Sequence, residues 1–259
     1  MTGRRSVTGK LAKSGIDELA REALRCYSAL AREYYDAFHS TSRAFDETID
    51  AYLKDSELDF LEQDVYLEVG CGKSRLASLS NARRSTLILT DFSLNMLRYS
   101  VVGRSRTEVA MLLCSAFQLP FSNRTIAGIF SFLGDPYATS QFFSEAYRCL
   151  KSRGGLMCVA PSQKWGHALR GSLHIDKDLT LFATREKARL LVPSVLYSHQ
   201  ELETLLRKVG FVLVEQKDLA LPNTFPRDQI SEFIRIPCEL LGQGPFELPL
   251  ITVTRAVKS

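Results

Sequence analysis

One run concentrates residues that could hold a ligand. Leu67-Glu68-Val69-Gly70-Cys71-Gly72-Lys73-Ser74 closes a short apolar stretch with two glycines one residue apart. At a strand tip, Gly70 and Gly72 permit a tight turn and leave no Cβ to obstruct a ligand lying on the backbone. A helix opening just beyond would add unpaired N–H groups at its positive end. Asp91 comes 23 residues after Glu68, at the end of the next apolar run. A carboxylate there can accept two hydrogen bonds from a ribose diol. The turn alone says little, because many strand-to-helix turns carry two glycines; joined to Asp91, it predicts a nucleoside-like ligand.

Other polar residues compete with structural readings. Asp135 and Tyr137 stand as candidate catalytic residues, while Asp135-Pro136 also reads as a turn capping the next helix. His199 falls in the first turn of a capped helix and reads as structural. His39 ends an aromatic run that contains Tyr34, Tyr35 and Phe38, and His167 and His174 follow the fifth expected strand. Of these, His39 and His167 join the catalytic candidates, although no general base is singled out. Trp165, the sole tryptophan, is expected in a loop. The six cysteines never form a C-x-x-C pair and have no histidine cluster beside them, so no metal site is expected. Scattered thiols suit a reducing compartment, with the cytoplasm as default.

The elements that must position these residues follow from periodicity. Leu19, Ala23, Tyr27, Leu30, Tyr34 and Phe38 recur at spacings of three and four, a helical stripe expected to pack in the core. A shorter helix with Phe45, Ile49 and Leu53 follows. From residue 64 short strands alternate with helices: VYLEV (65–69), a short helix in LASLS, STLILTD (85–91), a helix capped by Ser93, TEVAMLL (107–113) and TIAGIFSF (125–132). A helix carrying Phe142, Phe143, Ala146, Tyr147 and Leu150 then ends at Arg153-Gly154-Gly155, before LMCVA (156–160). Ser198 and Glu201 form a capping box for a helix that Gly210 closes. Strands FVLVEQ and ITVTRAV finish the chain, with a helix inserted near residues 228–234. This alternation predicts an α/β fold with a doubly wound, mostly parallel sheet. The expected division is a basic, flexible tail (1–15) and a single domain (16–259). That domain comprises a helical cap (16–60), a ligand-binding core (61–161), and substrate-side segments with the last strands (162–259).

Composition removes several classes. The 259 residues are 45% hydrophobic and 24% charged, and no run approaches the ~18 apolar residues of a membrane helix. No apolar core follows the basic N-terminus, so no secretory signal is expected. Net charge is +4, with Arg4, Arg5, Lys10 and Lys13 in the tail; the near-neutral body disfavours a nucleic-acid partner.

The runs LEVGCGKSRLA, TDFSLNML, CSAFQLPF and AYRCLKSRGGLMCVAPS, in that order over roughly residues 64–161, resemble a class I S-adenosylmethionine-dependent methyltransferase. The resemblance resumes more weakly at SHQELETLLRKVGFVLVEQ. It implies a seven-stranded Rossmann-like sheet and S-adenosylmethionine as cofactor. By the same resemblance Glu68, Gly70, Cys71 and Gly72 hold the methionine end, Asp91 the ribose, and Phe92 with Ser115, Ala116 and Phe117 the adenine. Ser131, near the end of the fourth strand, completes the set. N-terminal helices in such enzymes lie over the cofactor mouth, which brings Tyr35 and His39 toward it. This sequence departs from the family pattern at Ser74 (the third glycine), Ser115 (an acid) and Ile126-Ala127 (Phe-Asp). Asp135-Pro136-Tyr137 is similar to the D-P-P-Y segment of base-modifying amino-group methyltransferases but lacks one proline.

The expected function is therefore methyl transfer to a small molecule, with helices before residue 60 and the connection 217–249 as lids. A nucleic-acid base methyltransferase and a non-catalytic nucleotide-binding scaffold are the alternatives. A nicotinamide enzyme is disfavoured because Arg75 follows Gly70-Cys71-Gly72-Lys73-Ser74 with no third glycine.

Overall fold

The computed structural model describes residues 13–36, 39–56, 58, 64–78, 85–100, 108–185 and 189–259. Arg4, Arg5, Lys10 and Phe38 lie outside the described residues. The strands are β1 (Val65–Val69), β2 (Thr86–Asp91), β3 (Glu108–Leu113), β4 (Ile126–Phe132), β5 (Leu150–Pro161), β6 (Leu179–Ala183), β7 (Arg189–Pro193), β8 (Phe211–Leu219) and β9 (Ile251–Lys258). The helices are α1 (Lys13–Leu30), α2 (Ser40–Asp55), α3 (Leu94–Leu97), α4 (Ser140–Cys149), α5 (Gln163–Leu173), α6 (His199–Val209) and α7 (Glu232–Leu241).

Seven strands make one sheet in the order β3-β2-β1-β4-β5-β9-β8, in which β9 runs antiparallel to both neighbours. The central strands are apolar on both faces, as a doubly covered sheet requires. Tyr66, Phe130 and Phe132 pack with α2, α5 and α7 on one face, around Phe45, Ile49, Trp165 and Ile234. Leu67, Val69 and Ile129 pack with α4 and α6 on the other, around Phe142, Phe143 and Leu206. From β1 the order runs to β2 on one side and β4 on the other. The loops leaving these two strands therefore diverge and open a crevice at the sheet's C-terminal edge.

Several local expectations are corrected. The aromatic stripe is not one helix: α1 stops at Leu30, and Tyr34 lies in the turn that follows. The short helix expected in LASLS is present as a 3-10 helix over Leu76–Ser78, and Leu79 and Ser80 lie outside the described residues. Arg153-Gly154-Gly155 does not separate a helix from a strand but lies inside β5. Ile126 pairs with Leu150 and Gly128 with Gly155, and Arg153 takes a left-handed φ of 62° in the resulting bulge. Trp165 sits on α5, whose N-cap Ser162 accepts from Trp165 N. The hairpin β6–β7 adds two strands beyond the expected elements and packs against α1 through Cys26, Leu30 and Val192.

Two of the sequence runs are joined by one side chain. Arg148, at the end of α4, donates to Leu119 O (2.8 Å) and Phe121 O (2.6 Å) in the loop after β3. Glu145 accepts from Arg148 and from Leu119 N (2.9 Å), so the loop's amide and carbonyl groups are both occupied. Arg148→Ala should lower unfolding free energy by about 2 kcal/mol, because charge-assisted bonds to two backbone carbonyls are lost from a partly solvated site. Urea denaturation measures this; a loss under ~0.5 kcal/mol, the range of an ordinary surface substitution, would show that the clamp is not structural.

Candidate functional site

The crevice holds a cavity of about 380 Å³. Its floor is the turn after β1, which a buried carboxylate shapes. Glu68, 1% exposed, accepts from Ser74 Oγ (2.7 Å), Arg75 N (3.0 Å) and Leu76 N (3.1 Å). Burial pushes its carboxyl up, and those three donors oppose the shift. Ser74 fills the position where the family has a third glycine, and it adopts glycine's left-handed backbone with φ 57°. Its hydroxyl donates to Glu68 and accepts from Ala77 N (3.2 Å), which offsets the strain of that conformation. The departure at Ser74 thus preserves the turn.

Gly70 and Gly72 also have positive φ, and a Cβ on either would collide with a tyrosine hydroxyl, Tyr137 at Gly70 and Tyr35 at Gly72. Tyr137 donates to Val69 O (2.6 Å), and Tyr35 accepts from Lys73 N (2.8 Å). Asp91, at the tip of β2, accepts from Gly72 N (3.0 Å) and Ser93 N (2.8 Å), one bond to each carboxylate oxygen. Each oxygen keeps a further lone pair for a ligand hydroxyl. Burial raises the Asp91 carboxyl, against hydrogen bonds led by Ser93 N and Gly72 N. Outside the turn, Arg75 pairs with Asp46 and Asp50 of α2, tying that helix to the cavity rim.

A second cavity, of about 230 Å³, shares Tyr27, Tyr34 and Leu133 with the first. Leu133, just past β4, has a left-handed φ of 56° and donates to Val159 O (2.7 Å). Aromatic rings dominate the second cavity: Phe182 lies 5.6 Å from Tyr34, and Phe45 meets Trp165 edge-on at 5.0 Å. Asp135 lines it and does not cap α4, whose N-cap is Thr139. Burial pushes the Asp135 carboxyl up to about 6, opposed by a hydrogen bond with Ser194 and by the Arg170 guanidinium.

Glu68, Gly70, Cys71, Gly72, Asp91, Phe92, Ser115, Ala116 and Phe117 all line the first cavity, as does Tyr137. Ser131 does not: it is buried, with its hydroxyl 3.0 Å from that of Tyr137, and supports the tyrosine from behind. His39 lines the second cavity, where burial lowers the basicity of its imidazole. His167 lines neither, because α5 turns Trp165 and Leu169 inward and leaves the intervening His167 exposed. His174 caps the end of α5, and His199 bonds Asp218 at 2.9 Å. The stripe residues Tyr27 and Tyr34, expected in the core, are cavity walls. Neither they nor Leu133 carried a chemical signal in the sequence. Phe182 belongs to β6 of the additional hairpin.

The displaced titration of Asp135 has a signed consequence. Its folded value of about 6 lies above the ordinary 3.8, so the ionised form is the costlier one in the folded chain. Its contribution to stability is full below the ordinary value and declines as pH rises through about 6. Two units of displacement correspond to ~3 kcal/mol. Asp135→Asn should therefore gain stability relative to the parent between about pH 4 and pH 7, by up to that amount. Denaturant titrations across this range check it; parallel curves for the two proteins would contradict it.

Residues 67–158 match the model of a methyltransferase domain. Among curated proteins the chain is similar to 24-methylenesterol C-methyltransferase 2 of Arabidopsis thaliana, 27% identical over 167 residues. That match covers 62% of this chain and 45% of the relative, so the chain spans less than half of the relative's length. A solved chain from the complex of the Haloferax volcanii Trm112 methyltransferase activator with a methyltransferase superposes with a TM-score of 0.63 at 18% identity, covering 89% of this chain and 96% of that one. Geranyl diphosphate C-methyltransferase of Streptomyces coelicolor A3(2) gives a TM-score of 0.57 at 15% identity over 83% of this chain and 79% of that one. The domain match and the strand order agree with each other: residues 67–158 are similar to a methyltransferase domain, and the chain shares the fold of these solved methyltransferases.

Proposed function

We propose that this chain transfers a methyl group from S-adenosylmethionine to a small acceptor enclosed in the second cavity. The observation that carries this reading is the common wall of the two cavities, Tyr27, Tyr34 and Leu133. A donor in one cavity and an acceptor in the other would meet there.

The residues of the first cavity fit the cofactor. The glycine floor would accommodate the methionine end. Asp91 would take the ribose hydroxyls on its remaining lone pairs, and Phe92 with Ser115–Phe117 would frame the adenine. When bound, the cofactor supplies an activated methyl on a sulfonium. The chain's part is then alignment and exclusion of water. Holding two reactants in line is worth ~7–11 kcal/mol. Walls of Tyr27, Tyr34 and Phe182 keep water from a centre whose charge disperses during transfer. His39 and Asp135 line the acceptor side and are the groups that could take a proton from it. Tyr137, whose hydroxyl is engaged by Val69 O and Ser131, is a positioning residue for the glycine turn. The described helices include none long and apolar enough to cross a membrane.

Calorimetry with S-adenosylhomocysteine tests the reading. The parent chain should bind it and ignore NADH. Asp91→Ala should weaken it at least about tenfold, since charge-assisted bonds to two hydroxyls are lost. No binding by the parent, or unchanged affinity in a folded Asp91→Ala chain, would overturn it.

A further inference from the structure

We propose that the acceptor is a small amine, bound as a cation in the second cavity; this rests on the methyl-transfer reading above. Six aromatic side chains line that cavity: Tyr27, Tyr34, Phe45, Trp165, Phe182 and Phe233. Asp135 and Glu232 line it too, whereas none of its described lining residues is Lys or Arg. The Trp165 ring donates its N–H to Phe233 O (3.0 Å), which leaves its π-face as what it offers a neighbour. Rings and carboxylates in a lining that includes no Lys or Arg make an environment for positive charge.

The competing acceptor classes fit less well. A carboxylate or diphosphate would enter a cavity that carries negative charge and no base except His39, which burial holds toward its neutral form. Arg170, the cation that acts on Asp135, is not among the lining residues. A plain alkene would bury Asp135 against hydrocarbon and return nothing for its lost solvation. An ammonium supplies N–H donors to Asp135 and charge to the rings.

The chemistry balances with the groups present. Asp135 takes one proton from the bound ammonium, which frees the nitrogen lone pair. That pair forms the new N–C bond as the S–C bond to the methyl breaks, and the bonding electrons stay on sulfur. The positive charge passes from sulfur to the methylated nitrogen, still within the aromatic walls, and Asp135 returns its proton to solvent.

The test uses the full chain saturated with S-adenosylhomocysteine and three probes of similar size: phenethylamine, phenylpropionate and allylbenzene. Phenethylamine should bind at least about tenfold more tightly than either of the others. Asp135→Asn should shrink that margin, and Phe182→Leu, which keeps apolar volume but removes a ring, should shrink it independently if the first variant fails to fold. Tighter binding of phenylpropionate or allylbenzene, a margin unchanged in a folded variant, or no phenethylamine binding at millimolar concentration would overturn the amine assignment. Failure of S-adenosylhomocysteine itself to bind would instead overturn the methyl-transfer reading on which it rests.

Discussion

The site depends on one buried carboxylate. Glu68 sits on β1, inside the sheet, with almost no exposure, and an acid in that position is tolerated only if its oxygens are satisfied. The available donors are Ser74 Oγ, Arg75 N and Leu76 N, so the chain must fold back over the acid between residues 70 and 76. That return sets the other features. It holds Gly70 and Gly72 in backbone conformations that favour glycine, turns Gly72 N toward Asp91, and carries Arg75 to the acids of α2. The cavity floor, the β2 carboxylate and the helical cover are therefore linked through a single desolvation cost and the donors that meet it.

The opposite wall shows the same economy of space at the end of β4. Leu133 is held left-handed by its bond to Val159 O, a conformation that costs a non-glycine residue about 1–2 kcal/mol. Gly134 follows, where any Cβ would strike Ser131 Oγ. Backbone strain of this kind persists where the surroundings over-determine it and tends to gather at functional sites. Here it lies on the wall between the two cavities. Asp135, immediately beyond, lines the second cavity with its carboxyl engaged by Ser194 and near Arg170 instead of capping a helix, which is why an Asp-Pro dipeptide that reads as a routine turn becomes a buried acid in an enclosed space.

What the sequence disclosed follows from how local each signal is. The parallel core was legible because VYLEV and TIAGIFSF are largely apolar runs, and the capping box at Ser198 announces α6 by itself. Glu68, the glycines and Asp91 were legible through type and spacing. The acceptor side was not, because its walls come from α1, the turn after it, β6, α5 and α7, and aromatic residues look alike whether they pack or line. Tyr27 and Tyr34 read as core for that reason. The loop assigned to Trp165 overlooked an N-cap that was visible: Ser162 stands three residues before Trp165 and accepts from its amide (3.3 Å). The hairpin β6–β7 left a weaker trace, since its strands are short and stand apart from the main sheet.

The most direct test of the two-cavity arrangement is a crystal structure with S-adenosylhomocysteine. The account predicts both ribose hydroxyls within hydrogen-bonding distance of the Asp91 carboxylate and the sulfur facing the wall formed by Tyr27, Tyr34 and Leu133. A ligand with its ribose away from Asp91, or with its sulfur turned from that wall toward solvent, would contradict it.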